Sequence, residues 1–142
     1  MNDQGTVLTD ADQRIWLESY RVEKQRSGVR SLVDKWTIRG GPGDGIDVVE
    51  IDNGRLCVSV LPTRGMGLWK ARCDDLTLGW NSPVQRPVHP ALVRPGEAGG
   101  LGWLGGFSEL LARCGLAWHG PPGTDAIDGR PVTLHGRIAN LP

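Results

Sequence analysis

Aromatic residues other than tryptophan are nearly absent: one tyrosine and one phenylalanine stand beside six tryptophans in 142 residues. Net charge is absent too, with 16 basic and 16 acidic residues. A neutral chain lacks the basic face that releases phosphate counterions, so nucleic acid is not expected as a partner. No basic amphipathic stretch suits a membrane surface, and no apolar run nears the roughly 20 residues of a spanning helix. The N-terminus, Met1 to Gly5, is polar and acidic rather than a secretory leader, which points to the cytoplasm. Stretches free of glycine and proline are short, because 21 glycines and 10 prolines run through the chain. Long helices are therefore not expected. The leucines, valines and tryptophans between them argue for a loop-rich folded domain rather than disorder.

Closely spaced metal ligands are lacking as well. Cys57, Cys73 and Cys114 are odd in number and far apart, and His89, His119 and His135 form no HxxxH or HExxH motif. Tetrahedral zinc needs paired ligands, so neither a metal nor another cofactor is expected. The cysteines read as neutral thiols in a reducing compartment.

What is present is mostly strand signal. Residues 8–20 open with Thr9 three residues before Asp12, a weak capping box. Ile15, Trp16 and Tyr20 follow near helical spacing, which predicts a short N-terminal helix. Residues 21–30 read as a polar connector, so the expected organisation is 1–30, helix and connector, then 31–142, the β portion. Residues 32–40 alternate as a strand, and 40–45 must turn. Residues 46–54 and 55–62 predict a hairpin at Asn53-Gly54, with Leu56, Val58 and Val60 on one face. A second hairpin over 68–80 turns near Asp74-Asp75. The proline-rich segment 81–100 is a long loop. Residues 100–116 suggest one helical turn, with Ser108 as N-cap and Gly115 after its end. Residues 131–142 predict a final strand broken at His135-Gly136. A strand with nothing after it leaves an open edge, so the expectation is an incomplete domain, or one that closes by self-association.

The candidate chemistry is sparse. Arg64 reads first as a cap at a strand end, and Arg113 as a helix-end cation. His119, in a Gly-Pro-Pro loop, reads as solvated. His135 stands beside a glycine inside an apolar stretch, where a ligand can approach, and imidazole can donate to a hydroxyl. Glu109 is the one acid near a glycine-rich turn. Gly100 and Gly102 form no dinucleotide fingerprint, since Trp103 and Leu104 follow and no strand precedes. Ser108 lies in no nucleophile elbow. Tryptophans with arginine and histidine suit carbohydrate, since indole faces stack on C–H faces of a sugar.

Three blocks then carry a resemblance: VLPTRGMGLWKARCDDLTLGWNSP (60–83), GWLGGFSELLARCGL (102–116) and LHGRIANLP (134–142). From about residue 45 onward the chain resembles the N-terminal part of aldose 1-epimerase-like proteins, in the branch known as domain of unknown function 4432 of the galactose-mutarotase-like superfamily. The resemblance implies an all-β fold, part of an antiparallel β-supersandwich, with a small-molecule sugar bound on its concave face. It places Arg113 and His135 at the sugar, with Arg64 as a weaker third. Arg113 sits in Leu-Ala-Arg-Cys-Gly where mainstream members carry Ala-Asn-Arg, and His135 in Leu-His-Gly-Arg where they carry Leu-His-Gly-Gly. The implied reaction is anomer interconversion by ring opening, between a histidine acid and a glutamate base. Both family residues fall beyond Pro142, so no catalytic residue is expected within the chain. The alternative reading is a sugar-binding β-sandwich module without turnover. The blandest is a β domain whose loops carry no chemistry.

Overall fold

The computed structural model describes residues 5–113 and 118–141. Ten short strands dominate: β1 (Thr9–Asp10), β2 (Ile15–Trp16), β3 (Tyr20–Arg26), β4 (Val29–Thr37), β5 (Asp47–Asp52), β6 (Leu56–Leu61), β7 (Gly67–Cys73), β8 (Leu76–Leu78), β9 (Gly123–Thr124) and β10 (Pro131–Val132). β3 to β8 form one six-stranded antiparallel meander in chain order, while β1–β2 and β9–β10 are separate two-stranded ribbons. The all-β expectation holds.

The N-terminal helix does not form. Residues 9–16 are a small hairpin instead, and the reason is local. Asp10 accepts hydrogen bonds from the Gln13 backbone N–H (2.9 Å) and the Gln13 side chain (2.7 Å). Arg14 then takes a positive φ of 56°. An aspartate that bonds its own following turn offers the backbone an alternative to helix. Residues 21–30 are likewise no connector, because β3 pairs with β4 from Tyr20↔Lys35 to Arg26↔Val29. Their charged residues pair across the hairpin, with Arg21 on Asp34 and Arg30 on Glu23.

The hairpin between β5 and β6 forms one residue later than the motif suggests. Asn53 N–H bonds Leu56 O, so Gly54 and Arg55 are the central pair. Only Gly54 has positive φ, and Asn53 Oδ1 instead accepts from the Arg55 and Leu56 amides. The β7–β8 turn falls at Asp74-Asp75, as expected, between paired Cys73 and Leu76. In 131–142 only Pro131–Val132 is strand. His135 and Gly136 both have positive φ, and Ile138–Asn140 is a 3₁₀ turn. In the 100–116 segment, Gly102–Gly106 is a 3₁₀ turn that lies before Ser108. Cys114 and Gly115 lie outside the described residues. A four-residue helical segment, α1 (Glu97–Gly100), contains two left-handed residues and is not a regular helix.

One sheet face carries the row Val22, Val33, Ile51, Val58, Ala71 and Leu78 in direct register, and the other carries Arg21, Asp34, Glu50, Ser59 and Lys70. The small core lies at the sheet end where Ile46, Val48 and Leu61 are fully buried, with Ile38 and Trp69 packed on them. Next to it Lys35, 1% exposed, bonds Asp47 and the Leu17 carbonyl, both at 2.6 Å. Thr37 donates to the same carboxylate, and Thr63 accepts from the Asp47 amide. This network ties the N-terminal ribbon and the turn after β6 to the sheet.

Candidate functional site

The site begins at the turn that leaves β6. Pro62 opens a 3₁₀ turn through Arg64, and Gly65 and Met66 follow with φ of 56° and 61°. The reversal swings Arg64 inward, to 0% exposure. A bare guanidinium there would be prohibitively costly, so it is paired. Its Nε donates to Glu109 Oε1 at 2.7 Å, and its Nη1 donates to the Val88 carbonyl at 2.6 Å and Asn140 Oδ1 at 3.4 Å. Glu109, 1% exposed, accepts from the Ser108 amide with its other oxygen. Arg64 is therefore no exposed strand cap but the centre of a buried ion pair.

Arg113 grips the same turn from outside. Its Nη2 donates to the Arg64 carbonyl at 2.6 Å and its Nη1 to the Gly65 carbonyl. Burial, the largest influence, lowers its pKa; Glu109 opposes that and Arg64 adds to it. No helix surrounds it among the described residues, so the helix-end reading does not apply. The turn also meets the 138–141 segment closely. A Cβ on Gly65 would lie 2.1 Å from the Ile138 carbonyl oxygen.

His135 enters from that segment. Its amide donates to Gly120 O at 3.0 Å, and its ring meets Trp103 edge-on at 5.0 Å. Trp103 stacks on Phe107 at 4.3 Å, and Phe107 on Trp80 at 5.3 Å. His135 thus stands at one end of a stack of three rings, whose other end meets the ion pair where the Trp80 indole donates to the Glu109 carbonyl at 2.9 Å. Both of the predicted arginines are joined directly, and His135 belongs to the same segment as Asn140. His119 is exposed and takes no part in this cluster.

The described residues contain five buried side-chain polar atoms with no protein partner: Arg64 Nη2, Arg113 Nε, Asn140 Nδ2, Trp103 Nε1 and Ser108 Oγ. All five belong to this one cluster, and all five can donate. Such groups are normally satisfied, so a concentration of them calls for an acceptor-rich guest such as water or a ligand hydroxyl. A cleft of 430 Å³ lies on the His135 side, lined by Trp118, Arg130, Gly136 and Arg137 among others. One of 580 Å³ lies at the Trp80 end. Among the described residues no three of His, Cys, Asp and Glu gather as metal ligands would. No helix there is long and apolar enough to cross a membrane.

Sequence reasoning missed the Arg64–Glu109 pair, Asn140 and the ring stack. Glu109 and Arg64 lie 45 positions apart, and no spacing rule links them. The one available hint was an arginine directly before Gly-Met-Gly, a turn that can point its side chain inward.

The chain matches the family described as "Domain of unknown function (DUF4432)" over residues 43–142. It is also similar to a crystal structure described as that of a "putative aldose 1-epimerase" from Klebsiella pneumoniae subsp. pneumoniae MGH 78578. The TM-score is 0.86 and the identity 34%, over 95% of this chain and 36% of that one. The chain thus spans little more than a third of that structure's length. No curated protein matches it.

Proposed function

The chain belongs to the DUF4432 family and has an aldose 1-epimerase-like β fold, and from that premise we propose that it binds a free sugar at the His135–Arg113–Arg64 cluster. The observation that carries this reading is the set of five unspent buried donors on that one cluster. Sugar hydroxyls and ring oxygens are acceptors of the size and polarity such donors require. His135 is the residue we assign as donor to a sugar hydroxyl. Asn140 accepts from Arg64, and the two arginines hold the surrounding backbone carbonyls. Anomer interconversion by ring opening is the reaction that the family likeness suggests for a longer site of this kind, in the cytoplasm.

A second reading, binding without turnover, is favoured by how the charged groups are used. Ring opening needs an acid at the ring oxygen and a base at the anomeric hydroxyl, each contributing about 10²–10⁴-fold. Glu109 is committed to Arg64 and the Ser108 amide. Arginine is no base at neutral pH.

Polarimetry on freshly dissolved α-glucose and α-galactose separates the readings. The 142-residue chain should leave the relaxation rate at the buffer value, while calorimetry detects binding that His135→Ala weakens about tenfold, ~1.4 kcal/mol. A rate above buffer that His135→Ala abolishes would show that a base has been overlooked. Binding unchanged in His135→Ala would remove the site.

A further inference from the structure

The 580 Å³ cleft at the Trp80 end is a separate place from the His135 turn. It lies between the β7–β8 hairpin and the loop of residues 79–85, and its walls include Trp69, Lys70, Trp80, Asn81, Gln85 and Ser108. Phe107 and Trp103 stand between it and His135 in the ring stack.

The wall chemistry is selective. Lys70 is its one charged residue, and no carboxylate lines it. The Lys70 ammonium rests 4.4 Å from the centroid of the Trp69 ring and forms no ion pair among the described residues. Its neighbour across the strand is the neutral Ser59. A cation held on an aromatic wall without an acid is a standing attraction for an oxyanion. Trp80 is half exposed, yet its indole N–H is spent on the Glu109 carbonyl at 2.9 Å. It therefore offers a ring face, which suits the C–H face of a hydroxylated ring. Ser82 fixes the loop by donating to the Phe107 carbonyl at 2.8 Å. Ser108 is 8% exposed, and its buried Oγ has no protein partner.

We propose that this cleft is a second binding site, for a small hydroxylated organic oxyanion: a monosaccharide carrying a phosphate or a carboxylate. Lys70 takes the acid group. The Trp80 face carries the ring. Asn81, Gln85 and the unspent Ser108 hydroxyl take its hydroxyls. This goes beyond the sugar reading at His135 and does not depend on it, since Lys70, Asn81 and Gln85 belong to this cleft alone and only the Ser108 hydroxyl is counted at both places.

Calorimetry on the full 142-residue chain, with glucose 6-phosphate, glucuronate, glucose and inorganic phosphate at millimolar concentrations, tests it. At least one of the two acidic sugars should bind about tenfold more tightly than glucose at this site, as a hydrogen bond to a charged group contributes. Lys70→Gln should erase that difference, Lys70→Arg should keep most of it, and Ser108→Ala should weaken binding a few-fold. His135→Ala should leave the acidic sugar's affinity unchanged, which separates this site from the other. Lys70 is exposed, so its variants should keep the wild-type circular dichroism. The proposal fails if no acidic sugar binds, or if Lys70→Gln binds it as the parent does. It fails equally if inorganic phosphate binds as tightly as the sugar phosphate, or if the acid preference is lost in His135→Ala and kept in Lys70→Gln.

Discussion

The Arg64–Glu109 pair shows how one buried charge sets the demands on everything around it. With 0% and 1% side-chain exposure, neither partner can fall back on water. Removing one leaves the other ionised in a dry interior, which costs about 3–5 kcal/mol. Glu109→Ala should therefore destabilise the chain by about that amount in urea unfolding, and Arg64→Met by a similar amount. The double variant Arg64→Met/Glu109→Leu should cost clearly less than the sum of the two, because it strands no charge. A loss below about 1 kcal/mol in either single variant would place the pair among solvent-screened surface bridges. At the same scale, burial is the largest cause raising the Cys57 thiol above its ordinary pKa, with Glu50 and Asp52 adding to it. That agrees with a neutral thiol in the sheet.

Among the elements, the turn after β6 and the β3–β4 hairpin make opposite kinds of prediction. The turn is steric. Gly65 has φ of 56°, and an added Cβ would strike the Ile138 carbonyl at 2.1 Å. Gly65→Ala should push the 138–141 segment off the turn, at about 1–3 kcal/mol as overpacking does. Amide exchange at Asn140 and Leu141 should speed up more than exchange in β5. Uniform exchange changes along the chain would show that the turn does not anchor that segment. The hairpin is electrostatic. The hydrogen bond from Arg30 is the largest cause holding Glu23 below the usual carboxylate range, and their charge attraction adds to it. A depressed carboxylate contributes stability that is present above its unfolded pKa, near 4.5, and is lost as pH falls through its lower folded value. Both groups are solvent-exposed, so the effect should be small and fade with salt. A pH titration of β3 amide shifts should show the hairpin loosening only below about pH 4.5, and less so in Arg30→Gln. Loosening that begins near neutrality would assign it to another group.

For the whole molecule, the six-stranded meander has an apolar face that is only half covered. Ile51 is 48% exposed, and on the edge strand β8 Leu76 and Leu78 are 68% and 44% exposed. An apolar edge strand with unpaired backbone groups is a template for pairing with another chain. The isolated chain should therefore self-associate with rising concentration in sedimentation velocity. Leu76→Lys should shift it toward monomer while leaving its circular dichroism unchanged. A parent that stays monomeric at high concentration would show that β8 is already protected.

Local pattern alone determined the strands over 32–37, 47–52 and 56–61 and the hairpin over 68–78, because strand alternation and turn residues act over neighbours a few positions apart. It did the same for the Asp74-Asp75 turn and the all-β class. But it took 21–30, which holds most of β3 and the start of β4, for a connector. It failed at residues 8–20, where helical spacing of Ile15, Trp16 and Tyr20 was overridden by the Asp10 side chain bonding Gln13. It failed at 131–141 too, where apolar spacing gave way to a turn at His135-Gly136. The candidate site was legible as a set of residues but not as an arrangement. Arg64, Arg113 and His135 could be named from the chain, whereas Glu109 as the partner of Arg64, and Asn140 beside it, could not. Those contacts join positions 45 and 76 apart. Only folding brings such groups together, and only the cost of burying charge decides that they must pair.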